Sequence, residues 1–419
     1  MSETDFHYTK DTHAAASTGH YVFNQLIPYI GNKRKLLPLL QQAIIQAGAH
    51  PGATFLDLFA GSGVVARMAK QLGFRVFAND WEPYAGEINR CYIECSAPPP
   101  FTALGGYAAA LGRLNALPPQ VDWVTRHLCP ASDQRYDTAR DRMFYTRANG
   151  MIIDAMRAQI ADWEQAGLLA PLERACLLAP MLYQASYTSN TSGVFKGFHN
   201  GWGGQTRTAL YRILARFELR PAVFYDNRQA NQVFQLEAEL LARQLRAARQ
   251  RPEIAYLDPP YNQHPYGSNY HVLNSIALWD RPPLSEQIAG RNKAAIRDDW
   301  RTARRSAYNY RGEAERAFAA LLAALDAHYI LTSYSTDGVV PLEALVRICT
   351  ERGHTSVVQR EYKRYRVSSQ RFSHKPLTIE FVLIVDTQRR HTGPSPEAIC
   401  EQLRHAERAA LAEHPERRG

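Results

Sequence analysis

Between Thr54 and Asp80 two short apolar runs flank a glycine turn and a helix-length segment, and this unit restricts the chain to a parallel α/β sheet. Thr54-Phe55-Leu56-Asp57-Leu58 reads as a strand, Phe59-Ala60-Gly61-Ser62-Gly63 as a turn, and Val64 to Leu72 as a helix. Gly73 then turns the chain into a second strand, Arg75-Val76-Phe77-Ala78-Asn79-Asp80. Strands joined through a helix run parallel, because the crossover returns the chain to the edge where it started. Gly61 and Gly63 let the backbone approach a ligand closely, and the amides opening the following helix are free.

The pattern Gly61-x-Gly63-x-x-Ala66 satisfies the tolerant form of the dinucleotide rule, so NAD binding stays open. Asp57 argues for another ligand, since a carboxylate there repels a pyrophosphate and attracts an ammonium. Asp80 stands at the end of the second strand, where such units hold ribose hydroxyls. An amine, a ribose and an adenine are together the parts of S-adenosylmethionine. Upstream, Tyr29-Ile30-Gly31-Asn32-Lys33 forms a basic turn leading into a helix that runs through Gln46. Its amides and Lys33 suit a carboxylate or phosphate.

A second constellation is Ala255-Tyr256-Leu257-Asp258-Pro259-Pro260-Tyr261-Asn262, an apolar strand closed by a stiff turn. The two prolines remove backbone donors and fix φ, Asp258 accepts N–H bonds, and Tyr261 offers a stacking face. The combination suits a planar amine such as the exocyclic amino group of a base.

From Cys91 to about Leu219 the strand-helix rhythm lapses. Ala97-Pro98-Pro99-Pro100 marks a linker, followed by predicted helices over Tyr107–Asn115, Asp141–Ala166 and Glu173–Ala185. The stretch ends in a loop or hairpin from Tyr187 to Arg207, rich in glycine, amides and aromatics, whose Asn190, Lys196, His199, Asn200 and Arg207 can reach phosphates and base edges. The sheet pattern resumes with a strand expected at Ala222–Asn227, ending near Asp226, a helix over Val233–Gln250, and the strand before Asp258. Beyond it, Tyr270 and His271 precede a basic run, Arg291, Lys293, Arg297, Arg301, Arg304, Arg305 and Arg311, set against Asp298 and Asp299. This run is expected to contact phosphates of a displaced strand. A strand at Tyr329–Tyr334, a helix at Pro341–Arg352, a basic aromatic segment at Arg360–Arg366 and a closing strand at Leu377–Val385 complete the pattern. Past Gln388 the composition predicts a loosely attached helix with a frayed end.

The 419 residues carry a formal charge of +9, which favours a polyanionic partner. No apolar run spans a bilayer and Met1–His20 lacks the apolar core of a secretion signal, so the expected location is the cytoplasm. The six cysteines are scattered, and the close pair Cys91 and Cys95 has no answering pair, so reduced thiols and no metal site are expected.

Taken together, the motifs resemble those of the Dam-type adenine-specific DNA methyltransferases in the alpha motif order. The resemblance rests on Tyr29–Lys33, Phe55–Gly63, Asp80, Asp226 and Asp258-Pro259-Pro260-Tyr261, spanning about Leu26 to Val385; Asn32 replaces the family's second glycine. It implies a Rossmann-like S-adenosylmethionine-dependent methyltransferase sheet with an inserted, mostly helical target-recognition domain. The expected division is a disordered 1–20, a catalytic domain of 21–90 and 220–388, a recognition domain of 91–219, and a tail of 389–419. It further implies methyl transfer to adenine N6 of a base flipped from double-stranded DNA, catalysed at Asp258, Pro259, Pro260 and Tyr261. Tyr29, Gly31, Lys33, Asp57, Phe59, Gly61, Ser62, Gly63, Asp80 and Asp258 would line the cofactor, with Asp226 on its adenine. Cytosine-N4 methylation and a non-catalytic DNA-binding protein are the alternatives. No nuclease signature is present, so an accompanying restriction endonuclease would be encoded separately.

Overall fold

The computed structural model describes residues 21–363 and 377–413. Its centre is a seven-stranded sheet in the order β3-β2-β1-β4-β5-β7-β6. The strands are β1 Thr54–Asp57, β2 Arg75–Asn79, β3 Gln232–Phe234, β4 Ile254–Leu257, β5 Tyr329–Ser335, β6 His354–Lys363 and β7 Leu377–Asp386. The first five run parallel, and β7 inserts antiparallel between β5 and β6. Strand order reverses between β1 and β4, and the crevice outside the carboxyl ends of strands at such a switch point is where open α/β sheets bind ligands.

Strict alternation sorts the strand residues onto two covered faces. Phe55, Val76, Ile254, Tyr256, Val382 and Ile384 face one apolar layer, which takes in helices α1 Leu37–Ala47, α2 Val64–Gln71 and α3 Pro83–Asn89. Leu56, Phe77, Ala255, Leu257, Phe381 and Leu383 face the other.

The intervening segment is helical, with α4 Tyr107–Asn115, α5 Trp123–Leu128, α6 Arg147–Gln165 and α7 Pro171–Tyr187, followed by the short α8 Leu210–Ile213. Its core is continuous with the first sheet face, since Leu177, Leu178 and Met181 of α7 belong to the same buried cluster as Phe55 and Val76. Buried charges tie it down. Glu87 of α3 accepts from Arg174 at 2.5 Å and from Arg90 at 3.0 Å. Cys95 and Cys176 lie with their sulfurs 3.6 Å apart and are free thiols, as are the other four cysteines.

Several expectations are corrected. Ala222–Asn227 is not a strand: its place in the sheet is taken by β3, which begins at Gln232, and Asn227 instead bonds the Phe74 carbonyl at 2.7 Å. The helix expected from Val233 starts at Ala238, after β3, because the Glu237 side chain caps the amide of Leu240 at 2.9 Å. It is α9, Ala238–Ala247, and α10 Tyr266–Asn269 and α11 His271–Leu278 follow β4. Next come α12 Arg311–Ala324 and α13 Leu342–Arg352. Arg360–Lys363 belong to β6, while Arg364, Tyr365 and Arg366 lie outside the described residues. The last helix, α14 Pro396–Glu413, is firmly packed rather than loose: Ile399, Cys400, Leu403 and Ala410 form a buried stripe in the second core. The expected disorder of 1–20 and the fraying beyond 413 fall outside the described residues. Among the described residues no helix is long and apolar enough to cross a membrane.

Candidate active site

β1 ends at Asp57, which pairs with Tyr256, and β4 ends one residue later at Leu257, so Asp57 and Asp258 both emerge at the switch point. Pro259 and Pro260 stop β4 there by denying the ladder its donors. A cavity of about 290 Å³ opens beside them. Of the residues singled out from the sequence, Tyr29, Gly31, Phe59, Asp80, Asp258, Pro260, Arg304 and Arg305 line it, while Lys33, Asp57, Gly61, Ser62, Gly63, Pro259 and Tyr261 do not. Lys33 joins the lining residue Asp258 to Tyr261, and the Gly61 amide bonds the lining residue Asp80.

Lys33 is 2% exposed, and its Nζ lies 3.0 Å from Asp258 Oδ1 and 3.9 Å from Glu380 Oε2, and donates to the Tyr261 hydroxyl at 3.2 Å. Burial alone would discharge such an ammonium, but Asp258, then Tyr261 and Glu380, reverse the effect and hold its pKa well above the usual lysine value. Asp258 is pushed up by burial, against the downward pull of Lys33. Asp57 is pushed well above the usual carboxylate range by burial and by Asp258; its Oδ1 accepts a long bond from the Phe59 amide at 3.4 Å, and its Oδ2 is buried with no hydrogen-bond partner.

Asp80 accepts from the Gly61 amide at 2.7 Å and the Glu82 amide at 2.8 Å, yet burial pushes its pKa up to about 6. Gly61, at φ 50°, has no room for a side chain because a Cβ would meet the Tyr29 ring at 2.9 Å. Gly63, at φ 79°, is crowded likewise by Asn89 Oδ1 at 2.5 Å. The two glycines therefore admit protein groups as well as leaving the turn open. Asn32 does not use the left-handed region that its family counterpart glycine suggests: at φ −55° it caps the Arg34 amide with its side chain.

Asp226 does not stand where the motif order places it. It is exposed, precedes β3 instead of following it, and receives the Arg228 amide at 2.8 Å in a local turn. The acid beyond the end of β3 is Glu237, which lines the cavity together with Leu236. Trp81, Glu82, Tyr266, Tyr308 and Asn309 also line it, and the motifs do not point to them. Trp81 and Glu82 directly follow Asp80, which is a usable signal. Tyr266, Tyr308 and Asn309 arrive from segments with no regular pattern. Tyr29, Tyr266 and Tyr270 form a cluster of near-parallel rings, with Tyr29 at centroid distances of 5.1 Å from Tyr266 and 4.9 Å from Tyr270.

The candidate nucleic-acid contacts divide. Asn190 is fully buried, its amide donating to the carbonyls of Met143, His199 and Gly201 and accepting from the Gly203 amide, all within 3.3 Å. With every site satisfied it is a staple of the loop and not a contact to DNA. Asn190→Ala is expected to cost about 3 kcal/mol in denaturant unfolding, because buried carbonyls lose their donor. Tyr270 is also buried, its hydroxyl accepting the Ile30 amide at 2.8 Å. His271 is buried with Nε2 2.9 Å from the Phe195 carbonyl, and burial lowers its pKa to about 4, so it is neutral and structural.

Lys196, His199, Asn200, Arg207 and Lys293 keep solvent access. Lys196 Nζ lies 3.3 Å from His264 Nδ1, which brings the 187–207 loop beside the segment following Tyr261. Lys293 reaches Asn200 at 3.3 Å. For Arg291 the structure describes only the backbone, in the turn Gly290–Asn292. The basic run is less free than its composition suggests. Arg297 pairs with Asp280 and Asp299, Arg304 with Asp299, and Arg305 with Glu313. Asp280 and Glu313 come from outside the run, and Arg304 and Arg305 turn toward the cavity.

Residues 29–299 match the family described as D12 class N6 adenine-specific DNA methyltransferase. The chain is 32% identical over 363 residues to the type II methyltransferase M.NlaIII of Neisseria lactamica, covering 85% of this chain and 98% of that one. It is 28% identical to the modification methylase LlaI of Lactococcus lactis subsp. lactis, covering 88% of this chain but only 56% of that relative's length. It is 26% identical to the type II methyltransferase M.CviAII of Paramecium bursaria Chlorella virus 1, over 81% of this chain and 93% of the relative. With residues 29–299, more than half its length, matched by the family and an Asp-Pro-Pro-Tyr tetrapeptide at the switch point of the sheet, this chain belongs to the D12 class N6 adenine-specific DNA methyltransferases.

Proposed function

We propose that this chain methylates N6 of an adenine flipped out of duplex DNA at a fixed sequence, with S-adenosylmethionine as donor. The observation that carries the reading is the placement of Asp258-Pro259-Pro260-Tyr261 beside a cavity that also receives Asp80 from the neighbouring part of the sheet. The residues fit the cofactor. The unpartnered Oδ2 of Asp57 is an acceptor waiting for a donor, and Asp80 is placed for ribose hydroxyls. Tyr29, Gly31, Phe59 and Trp81 supply flat or open walls, and Glu237 takes the adenine-facing place that the motif order gives to Asp226. When bound, the cofactor supplies a methyl group already activated by a positive sulfur.

The protein's task is then chiefly orientation. Asp258 and the Pro259 carbonyl accept the two N6 hydrogens, directing the nitrogen lone pair, and Tyr261 stacks on the flipped base. An adenine inside the duplex cannot present N6 in this way, which is why it must leave the stack. Residues 91–219 serve as the recognition module, with Lys196, Asn200 and Arg207 as its solvent-accessible polar contacts and Lys293 beside them from outside the module. The names of the relatives, type II methyltransferases and modification methylases, support a modification methylase.

Modified-base sequencing of DNA from cells expressing the protein tests the reaction: N6-methyladenine in one sequence context is expected. N4-methylcytosine, or no mark, would overturn it. Calorimetry tests the cofactor, with binding of S-adenosylmethionine expected and none of NAD. Because an ionised Asp80 accepts ribose hydroxyls more strongly than a protonated one, cofactor affinity is expected to fall as pH drops below about 6. The Asp80→Asn variant should be weak and flat across the same range. The raised pKa acts on stability in the opposite sense: its contribution is full below the unfolded value near 4 and is lost as pH rises through about 6.

A further inference from the structure

Strand β7 alternates apolar residues on both faces, and Glu380 breaks the alternation. It shares a face with Val382 and Ile384, is 4% exposed, and its Oε2 has no hydrogen-bond partner. A carboxylate in such a place is costly unless a cation answers it. Among the described residues the cation paired with it is Lys33, 3.9 Å away. Arg360 stands opposite Glu380 in the β6–β7 register, but its guanidinium reaches the Lys35 carbonyl at 3.5 Å.

Lys33 is thereby held from two sides. Glu380 comes from the antiparallel strand β7, Asp258 from the end of β4, and the ammonium between them touches Asp258 through Oδ1 at 3.0 Å while donating to the Tyr261 hydroxyl at 3.2 Å. Glu380 touches neither Asp258 nor the cavity wall in any described contact, so its reach into the site runs through Lys33.

Resting on the methyltransferase reading above, we propose that Glu380 is a positioning residue for the reaction: by drawing Lys33 toward β7 it confines the ammonium to Asp258 Oδ1, leaving Oδ2 to accept the N6 hydrogen of the target adenine. Without the second carboxylate, Lys33 is free to centre on Asp258 and compete for both of its oxygens. The aligned geometry of the acceptor is lost even though every group that touches substrate or cofactor is still present.

The test is single-turnover methyl transfer by Glu380→Gln, which keeps the side chain's shape, with cofactor and DNA affinities measured separately. The expected result is a rate about 10- to 100-fold below wild type, with both affinities within about threefold. Glu380→Asp should recover part of the rate. Added to Lys33→Met, the Glu380→Gln change should produce no further loss, because the lysine through which it acts is gone. Should Lys33→Met fail to fold, Lys33→Arg serves in the same cycle, again with less than additive loss expected. A fully active Glu380→Gln, a loss confined to affinity, or losses that add in full would overturn the proposal. A wild type that binds cofactor but transfers no methyl to DNA would instead overturn the functional reading on which it rests.

Discussion

Asp258→Ala is expected to lower the methyl-transfer rate by about three orders of magnitude or more and to erase N6-methyladenine from the DNA of expressing cells. The size follows from what the carboxylate does. It is a preorganised acceptor in a partly dry site, where removing one aligned polar group costs roughly 10²- to 10³-fold. Here the same substitution also strands Lys33, whose shortest ion pair is the 3.0 Å contact to Asp258. The measurement is single-turnover transfer at saturating cofactor, beside calorimetry. A variant that retains cofactor binding and loses transfer places the defect at the target base. A variant that methylates at the wild-type rate would remove Asp258 from the mechanism.

The second large effect is expected from Lys33→Met. Three carboxylates meet in this neighbourhood, Asp57 and Glu380 buried and Asp258 partly so, and Lys33 contacts two of them. Removing one partner of a buried ion pair costs about 3–5 kcal/mol, because the remaining charge is desolvated and unpaired. The substitution should therefore lower stability sharply at neutral pH, and the deficit should shrink on acidification. The sign follows from the pKa values. Burial already raises all three carboxylates above their ordinary range, and losing the cation raises Asp258 and Glu380 further. An acid whose folded pKa exceeds its unfolded one is most favourable to folding below the unfolded value, and that benefit is lost as pH rises. Thermal melts of wild type and Lys33→Met across pH 4–8 check this: the gap should widen with pH. A gap that is constant or widens toward acid would show that Lys33 acts through packing alone.

Much of this site is legible in the amino-acid sequence, and the division between what is legible and what is not has a physical basis. The strand, glycine turn and helix around Gly61 and the Asp-Pro-Pro-Tyr turn are local devices: their backbone needs are met by neighbouring residues, so they can be recognised wherever the chain runs. Helices α4, α6 and α7 are equally legible from apolar spacing. Asp226 misleads because Ala222–Asn227 has the composition of a strand, while sheet pairing selects the less apolar Gln232–Phe234 instead. Asn190, Tyr270 and His271 look solvated because polar and aromatic residues in a glycine-rich or irregular stretch usually are; they are satisfied by groups the fold brings to them, Asn190 by Met143 and its own loop, Tyr270 by the Ile30 amide and His271 by the Phe195 carbonyl. The basic run looks freer than it is because Asp280 and Glu313, which pair with Arg297 and Arg305, lie outside it in the chain.

Sequence alone thus determined the class of sheet, the order of the motifs and the chemistry at the ends of β1 and β4, since each depends on residues a few positions apart. Tertiary structure decided which charges are paired and which polar groups are spent on the fold. Glu380 and Lys33 lie 347 positions apart in the chain, and a buried charge reveals its partner only when the fold has brought the two together and removed the water between them.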